Sequence, residues 1–263
     1  MYDHNEKAGN QGDVVKHTAL LAAADAILKT SRGDFDYADI FAGYAFNLLQ
    51  STGEWRYGIR NFRQSSCSDN PNVTFWRDLW DCKSGLLGSV YPGSSLFIFK
   101  LCMSQTRNFR ARLWDTSPVV IAQLMEMYDK QQVMIHPRPA IPNDFIDRKP
   151  DLLLIDPPGL RTKSKKQYPD LTELLCFFDI VPNVILWFPM TAQGKGSPAP
   201  ETEPSLEAKN KCINYGLSVV SVRWSNGIRT CGCRLAYRLP SAAECALRST
   251  VEDVATIMGW NHG

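Results

Sequence analysis

Residues 152–166 read LLLIDPPGLRTKSKK. Four apolar residues run into Asp156 and two prolines, which sets a carboxylate at the end of a buried strand on a stiff backbone. Pro157 has no N–H and a fixed φ, so it adds a rigid carbonyl acceptor beside the acid. Such a pair can hold a hydrogen-bond donor, and the acid can also take up its proton. A plain turn after a buried strand is the structural alternative. Four cations, Arg161, Lys163, Lys165 and Lys166, follow the acid. Lys163 and Lys165 are candidates for binding the phosphates of an incoming nucleic-acid strand, against the alternative of a solvated loop. The triads Arg56/Arg60/Arg63 and Arg107/Arg110/Arg112 are further basic clusters.

Two more acids close predicted strands. Asp39 precedes the small-residue turn Phe41-Ala42-Gly43-Tyr44-Ala45, and Asp115 follows Arg110–Trp114. Ligands of open α/β sheets bind beyond the carboxyl ends of the strands, where small residues let the backbone come close. An acid in the place of Asp115 accepts from ribose hydroxyls, or else caps the helix that Ser117-Pro118 opens.

These residues need a sheet to hold them. Apolar spacing predicts an amphipathic helix over Asp13–Lys29 and a strand over Phe35–Ile40. Residues 50–92 break the pattern and read as an inserted, mostly helical subdomain within a domain of 1–49 and 93–263. Beyond it come a helix at 96–106, strands at Arg110–Trp114 and Gln132–His136 around a helix reaching Lys130, and the strand Leu152–Ile155. A helix near 170–178 and the strand Asn183–Phe188 lead to TAQGKGSPAPETEPS, whose composition suggests a mobile loop. A short helix and two alternating runs, Leu217–Trp224 and Gly232–Leu239, close the sheet. Alternating strands and helices predict a doubly wound parallel α/β sheet, with one antiparallel edge from the final two strands.

Composition limits the alternatives. The 263 residues are 44% hydrophobic and 21% charged, with a net charge of +2, so affinity for nucleic acid would rest on local patches. No apolar run is long enough to span a bilayer, and MYDHNEKAGNQGD does not read as a signal peptide; a cytoplasmic, membrane-free protein is expected. The eight cysteines form no C-x-x-C pair and read as buried free thiols. Cys231-Gly232-Cys233 with His136 is a poor ligand set, so no metal is expected.

The run Tyr2-x-His4-x-x-x-Ala8-Gly9-Asn10-x-x-Asp13-Val14-x-Lys16-His17-Thr18, taken with the turn after Asp39, Asp115 and Asp156-Pro157-Pro158, resembles the RlmJ-type adenine-N6 methyltransferases of large-subunit ribosomal RNA. The likeness continues through Thr52-Gly53-Glu54, Tyr91-Pro92-Gly93-Ser94, Leu186-Trp187-x-Pro189 and the strand around Gly232, nearly the whole chain. It implies a Rossmann-like seven-stranded S-adenosylmethionine methyltransferase sheet with a small helical insertion, an RNA substrate and a monomer. It implies Tyr2 and His4 beside the target adenine, and His17, Asp39, Ala42, Gly43, Ser94 and Asp115 at S-adenosylmethionine. It also implies Asp156 and Pro157 at the reacting amine.

The departures are specific. The family has histidine where Phe41 stands, a second glycine at Ala45, an Asp-Gly pair near Pro137-Arg138, and an aromatic in place of Gly159. The exocyclic amine of adenine is a poor nucleophile, because its lone pair is delocalised into the ring. An acid and a carbonyl accepting both amine hydrogens would draw the nitrogen towards tetrahedral geometry. The missing aromatic leaves three outcomes: Tyr2 or Phe188 is the ring for an extruded base, the substrate is something other than a flipped adenine, or catalysis is lost. A catalytically weakened relative that binds nucleic acid or a partner is the second reading.

Overall fold

The structure is a computed structural model that describes residues 4–65, 68–80, 90–129, 131–161, 168–192, 201–224 and 230–263. Seven strands carry the main sheet: β1 (Phe35–Asp39), β2 (Phe109–Trp114), β3 (Gln132–His136), β4 (Leu152–Ile155), β5 (Val184–Thr191), β6 (Ser218–Arg223) and β7 (Thr230–Arg238). A two-residue β8 (Asn261–His262) extends it, giving the order β8-β6-β7-β5-β4-β1-β2-β3. From β1 the chain first winds outwards through β2 to β3, then returns to place β4 on the other side of β1. The sheet therefore has its topological switch point between β1 and β4, where ligands of such folds bind.

The strands read as predicted because successive side chains enter opposite layers. In β4, Leu152 and Leu154 join one buried cluster while Leu153 and Ile155 join the other. The antiparallel strand differs from expectation. β7 lies between β5 and β6 and runs antiparallel to both, so it is internal. Periodicity locates a strand but does not say between which neighbours it inserts.

Among the described residues the helices of six residues or more are α1 (Gln11–Thr30), α2 (Ile59–Gln64), α3 (Pro71–Trp80), α4 (Ser94–Ser104), α5 (Pro118–Met127), α6 (Leu171–Ile180), α7 (Glu203–Asn214) and α8 (Ser241–Met258). A four-residue helix at His4–Lys7 and 3₁₀ helices at Glu54–Arg56 and Pro142–Phe145 complete the description. The sequence reading omitted α8, although Ala243, Leu247, Val251, Val254 and Ala255 repeat at helical spacing and are all buried. Helix α8 packs along α1. As a result α1 is buried almost all round instead of on one stripe, and Lys16, His17, Thr18 and Asp25 lie inside with its apolar residues.

The strands Phe46–Leu48 and Val90–Pro92 form an antiparallel ribbon that brings together the two ends of the segment read from sequence as an insertion. Ile59, Phe62, Val73 and Trp76 of the insertion join the same buried cluster as α1 and β1. It docks on the start of α1, where Ile59 N–H donates to the Gly9 carbonyl at 3.0 Å. A Cβ on Gly58 would stand 2.2 Å from that carbonyl oxygen, so only glycine fits. The predicted mobile loop lies mostly outside the described residues. Its ends are joined by Thr202 N–H donating to the Thr191 carbonyl at 3.0 Å.

Candidate active site

Three acids stand along one rim of the sheet. In register, Asp39 of β1 pairs with Leu113 of β2 and Leu154 of β4. Asp115 and Asp156 each come two residues beyond those partners. The chain thus sets a carboxylate at the carboxyl end of three adjacent strands, two of which flank the switch point.

Asp156 is half-buried and Pro157 buried behind it. The acid is held by Lys16 of α1, whose Nζ reaches Asp156 Oδ2 at 2.5 Å and Asp13 Oδ1 at 2.7 Å. Burial works against the Lys16 ammonium, but Asp13 and Asp156 outweigh it and keep its proton well above the usual lysine range. Burial likewise opposes the Asp13 carboxylate, and Lys16 overcomes it, holding its pKa below the usual value. Asp13 also accepts from the Gly9 N–H at 2.8 Å, while the Asn10 side chain caps the helix by accepting from Asp13 N–H at 3.0 Å. The motif Gly9-Asn10-x-x-Asp13-x-x-Lys16 is therefore a device for starting α1 so that Lys16 meets Asp156. The Trp187 ring lies 5.6 Å beneath the same ammonium and fills the space beside Gly12.

Asp39 is fully enclosed. It accepts from Ser94 Oγ at 2.6 Å, Tyr37 Oη at 3.0 Å and Phe41 N–H at 3.1 Å. Burial pushes its pKa up to about 6, with the Asp156 charge adding to the effect, so the two acids sense one another across the switch point. A carboxylate whose folded pKa exceeds its unfolded value stabilises the fold below the unfolded pKa and loses that contribution as pH rises through the folded one. Relative to the parent protein, Asp39→Asn should therefore gain stability between about pH 4 and pH 7, by up to about 3 kcal/mol. Thermal melts across that window check it; a difference that does not vary with pH would sink it.

The turn after β1 brings Gly43, at φ +59°, against Asp115, whose Oδ2 accepts the Gly43 N–H at 3.1 Å. Asp115 Oδ1 accepts from Ser117 N–H at 2.7 Å, a local turn ahead of α5, whose N-cap is Ser117 with no side-chain cap bond. A carboxylate has about four acceptor sites, leaving room on half-exposed Asp115 for two ribose hydroxyls. Ala42 and Ala45 are buried; the Ala45 methyl belongs to the main cluster. Gly93 passes so close behind this turn that a Cβ there would meet the Tyr44 carbonyl at 2.0 Å.

His17 is 3% exposed, with Nδ1 2.8 Å from Tyr91 Oη and its ring 4.9 Å from that of Phe97. Burial, reinforced by Lys16, lowers its pKa to about 3, so the ring is neutral. Tyr2, Lys163 and Lys165 lie outside the described residues, as does the side chain of His4. Phe188 is 1% exposed within the second cluster and offers no face to a base.

The sequence reading gave no role to Lys16, nor to Asp144, which Arg138 grips through Nη1 at 2.9 Å and Nη2 at 2.6 Å. The Asp13–Lys16 spacing of three was the available sign for the first; Asp144 carried none. The Arg107/Arg110/Arg112 cluster lies at the amino ends of the strands, away from the acids. Arg107 Nε donates to the Gly33 carbonyl at 2.7 Å, Arg110 pairs with Asp34, and Arg112 approaches Asp36 at 3.6 Å. Arg60 and Arg63 of the insertion are exposed. Of the described cysteines, 102, 212, 231 and 233 are buried free thiols, whereas Cys176 and Cys245 are exposed.

No protein-family model and no curated protein matches the chain. Among solved structures it is similar to protein LPL1258 of Legionella pneumophila, described under the family model DUF519, at 18% identity over 97% of each chain with a TM-score of 0.74. That likeness establishes the fold. Looser matches include the N-methyltransferase NodS of Bradyrhizobium japonicum in complex with S-adenosyl-L-homocysteine, at 13% identity over 89% and 90% of the two chains and a TM-score of 0.40. A SAM-dependent methyltransferase of Aquifex aeolicus matches at 10% identity over 84% and 91%, with a TM-score of 0.39. The fold is thus shared over 97% of each chain with the Legionella protein. No helix among the described residues is long and apolar enough to cross a membrane.

Proposed function

We propose that the protein is an S-adenosylmethionine-dependent methyltransferase acting on the exocyclic amine of adenine in RNA, ribosomal RNA above all. The observation that carries this reading is Asp156, tethered by Lys16 at the switch point and level with Asp39 and Asp115. Asp39, Ala42, Gly43, Ser94 and Asp115 build the cofactor site, with His17 and Tyr91 behind it. The chemistry of these groups fits the cofactor: a ribose diol suits Asp115, and two carboxylates that raise one another's charging cost favour a cation.

When bound, S-adenosylmethionine supplies an electrophilic methyl group on a positively charged sulfur. Asp156 and the Pro157 carbonyl accept the amine hydrogens and hold the nitrogen lone pair out of conjugation. Lys16, which Asp13 and Asp156 hold protonated, stands beside the Asp156 carboxylate that takes the proton the methylated nitrogen releases. Tyr2, His4, Lys163, Lys165 and the exposed arginines of the insertion form the RNA-binding surface. Titration with S-adenosylmethionine by calorimetry, followed by transfer of labelled methyl groups to unmodified large-subunit ribosomal RNA, tests the reading. Micromolar binding and label in N6-methyladenine are expected. Absence of binding at millimolar concentration would leave a nucleic-acid-binding or partner-binding relative of such enzymes.

A further inference from the structure

Gly159 is buried although Pro158 before it is exposed. The ring of Tyr168 covers it. A Cβ built on Gly159 would stand 2.8 Å from Tyr168 Cε2, 2.9 Å from Cδ2 and 3.4 Å from Cζ. These are atoms of a rigid ring, so any side chain at 159 would drive that ring from its place. Arg161 fixes the approach: its N–H donates to the Pro169 carbonyl at 2.8 Å and its Nε to the Tyr168 carbonyl at 2.9 Å. Its Nη2 also reaches Glu173 of α6 at 3.4 Å. The arginine clasps Tyr168 against the turn that carries Asp156.

We propose that Tyr168, half-exposed as a residue, is the aromatic platform on which the extruded base stacks, and that Gly159 is its seat. The inference rests on the adenine methyltransferase reading. A base taken out of its stack needs a π surface beside the group that reacts with its amine, and Tyr168 lies against the residue three places beyond Asp156. Phe188 is enclosed in the core, and Trp187 packs beside Gly12 and beneath the Lys16 ammonium. Gly159 thus does not leave the site without an aromatic; the aromatic comes from the far end of the loop.

The test uses the full chain, unmodified large-subunit ribosomal RNA as acceptor, and calorimetry with S-adenosylmethionine as a second readout. Tyr168→Ala should lower kcat/KM for RNA about 5- to 150-fold, the range for losing one base–aromatic stack, with cofactor Kd within twofold of the parent. Tyr168→Phe should retain most of the activity. Gly159→Tyr alone should be impaired by displacing Tyr168, and Gly159→Tyr combined with Tyr168→Ala should exceed Tyr168→Ala alone. A parent protein that methylates adenine while Tyr168→Ala does so within twofold overturns the stacking role and leaves the enzyme reading standing. The stacking role is equally overturned if Tyr168→Phe is as weak as Tyr168→Ala, or if Tyr168→Ala loses the cofactor. A parent protein that transfers no methyl to adenine removes both.

Discussion

Replacing Asp156 by asparagine lowers the rate of methyl transfer by about 10²- to 10⁴-fold while leaving the fold and cofactor binding in place. Asparagine keeps the shape and one acceptor oxygen but cannot take the proton from the methylated nitrogen. It also presents an N–H₂ group that competes with the amine for the Pro157 carbonyl. The fold survives because Lys16 keeps Asp13 at 2.7 Å, so its ammonium is not left uncompensated. The measurement is single-turnover transfer of labelled methyl to RNA, beside a thermal melt and a cofactor titration. A variant that transfers methyl at close to the parent rate removes Asp156 from the chemistry. A variant that melts far below the parent makes it a structural acid.

Lys16→Met costs about 3–5 kcal/mol of stability, the range for removing one partner of a buried ion pair. The ammonium is 10% exposed and serves two carboxylates, Asp13 and Asp156, which methionine leaves facing each other across the start of α1. For a chain of this size the corresponding fall in Tm is on the order of 10 °C. The deficit depends on pH. Asp13 has a folded pKa below its ordinary value, so its contribution is present above the unfolded pKa and lost as pH falls through the folded one. The variant lacks that contribution at neutral pH. The gap between parent and variant should therefore be widest near pH 7 and narrow in acid. Equal melting temperatures at pH 7 would show that the triad is too well solvated to matter.

The part of this protein that sequence alone determines is what local chemistry dictates. Strands β3 and β4 fall where the sequence predicts them, and β4, an unbroken apolar run buried on both faces, suits a central parallel strand. The acids at 39, 115 and 156 were legible as groups near strand ends, since Asp156 stands between four apolar residues and two prolines, Asp115 precedes Thr116-Ser117-Pro118, and Asp39 comes just before a small-residue turn. Helix α8 was legible too, in the spacing of Ala243, Leu247 and Val251, and was overlooked. Other features depend on which elements become neighbours. That β7 enters between β5 and β6 is decided by long-range pairing, to which hydrophobic period is blind. That Lys16 is an internal cation, and not one more charge on an amphipathic helix, follows from α8 closing over α1. The salt bridge from Lys16 to Asp156 joins residues 140 apart in sequence, and only the placement of α1 across the carboxyl end of β4 brings them within 2.5 Å. Gly159 makes the same point most sharply. Read along the chain it is a missing aromatic, whereas in three dimensions it is the gap into which Tyr168 fits, because a glycine's lack of a Cβ has meaning only through what packs against it.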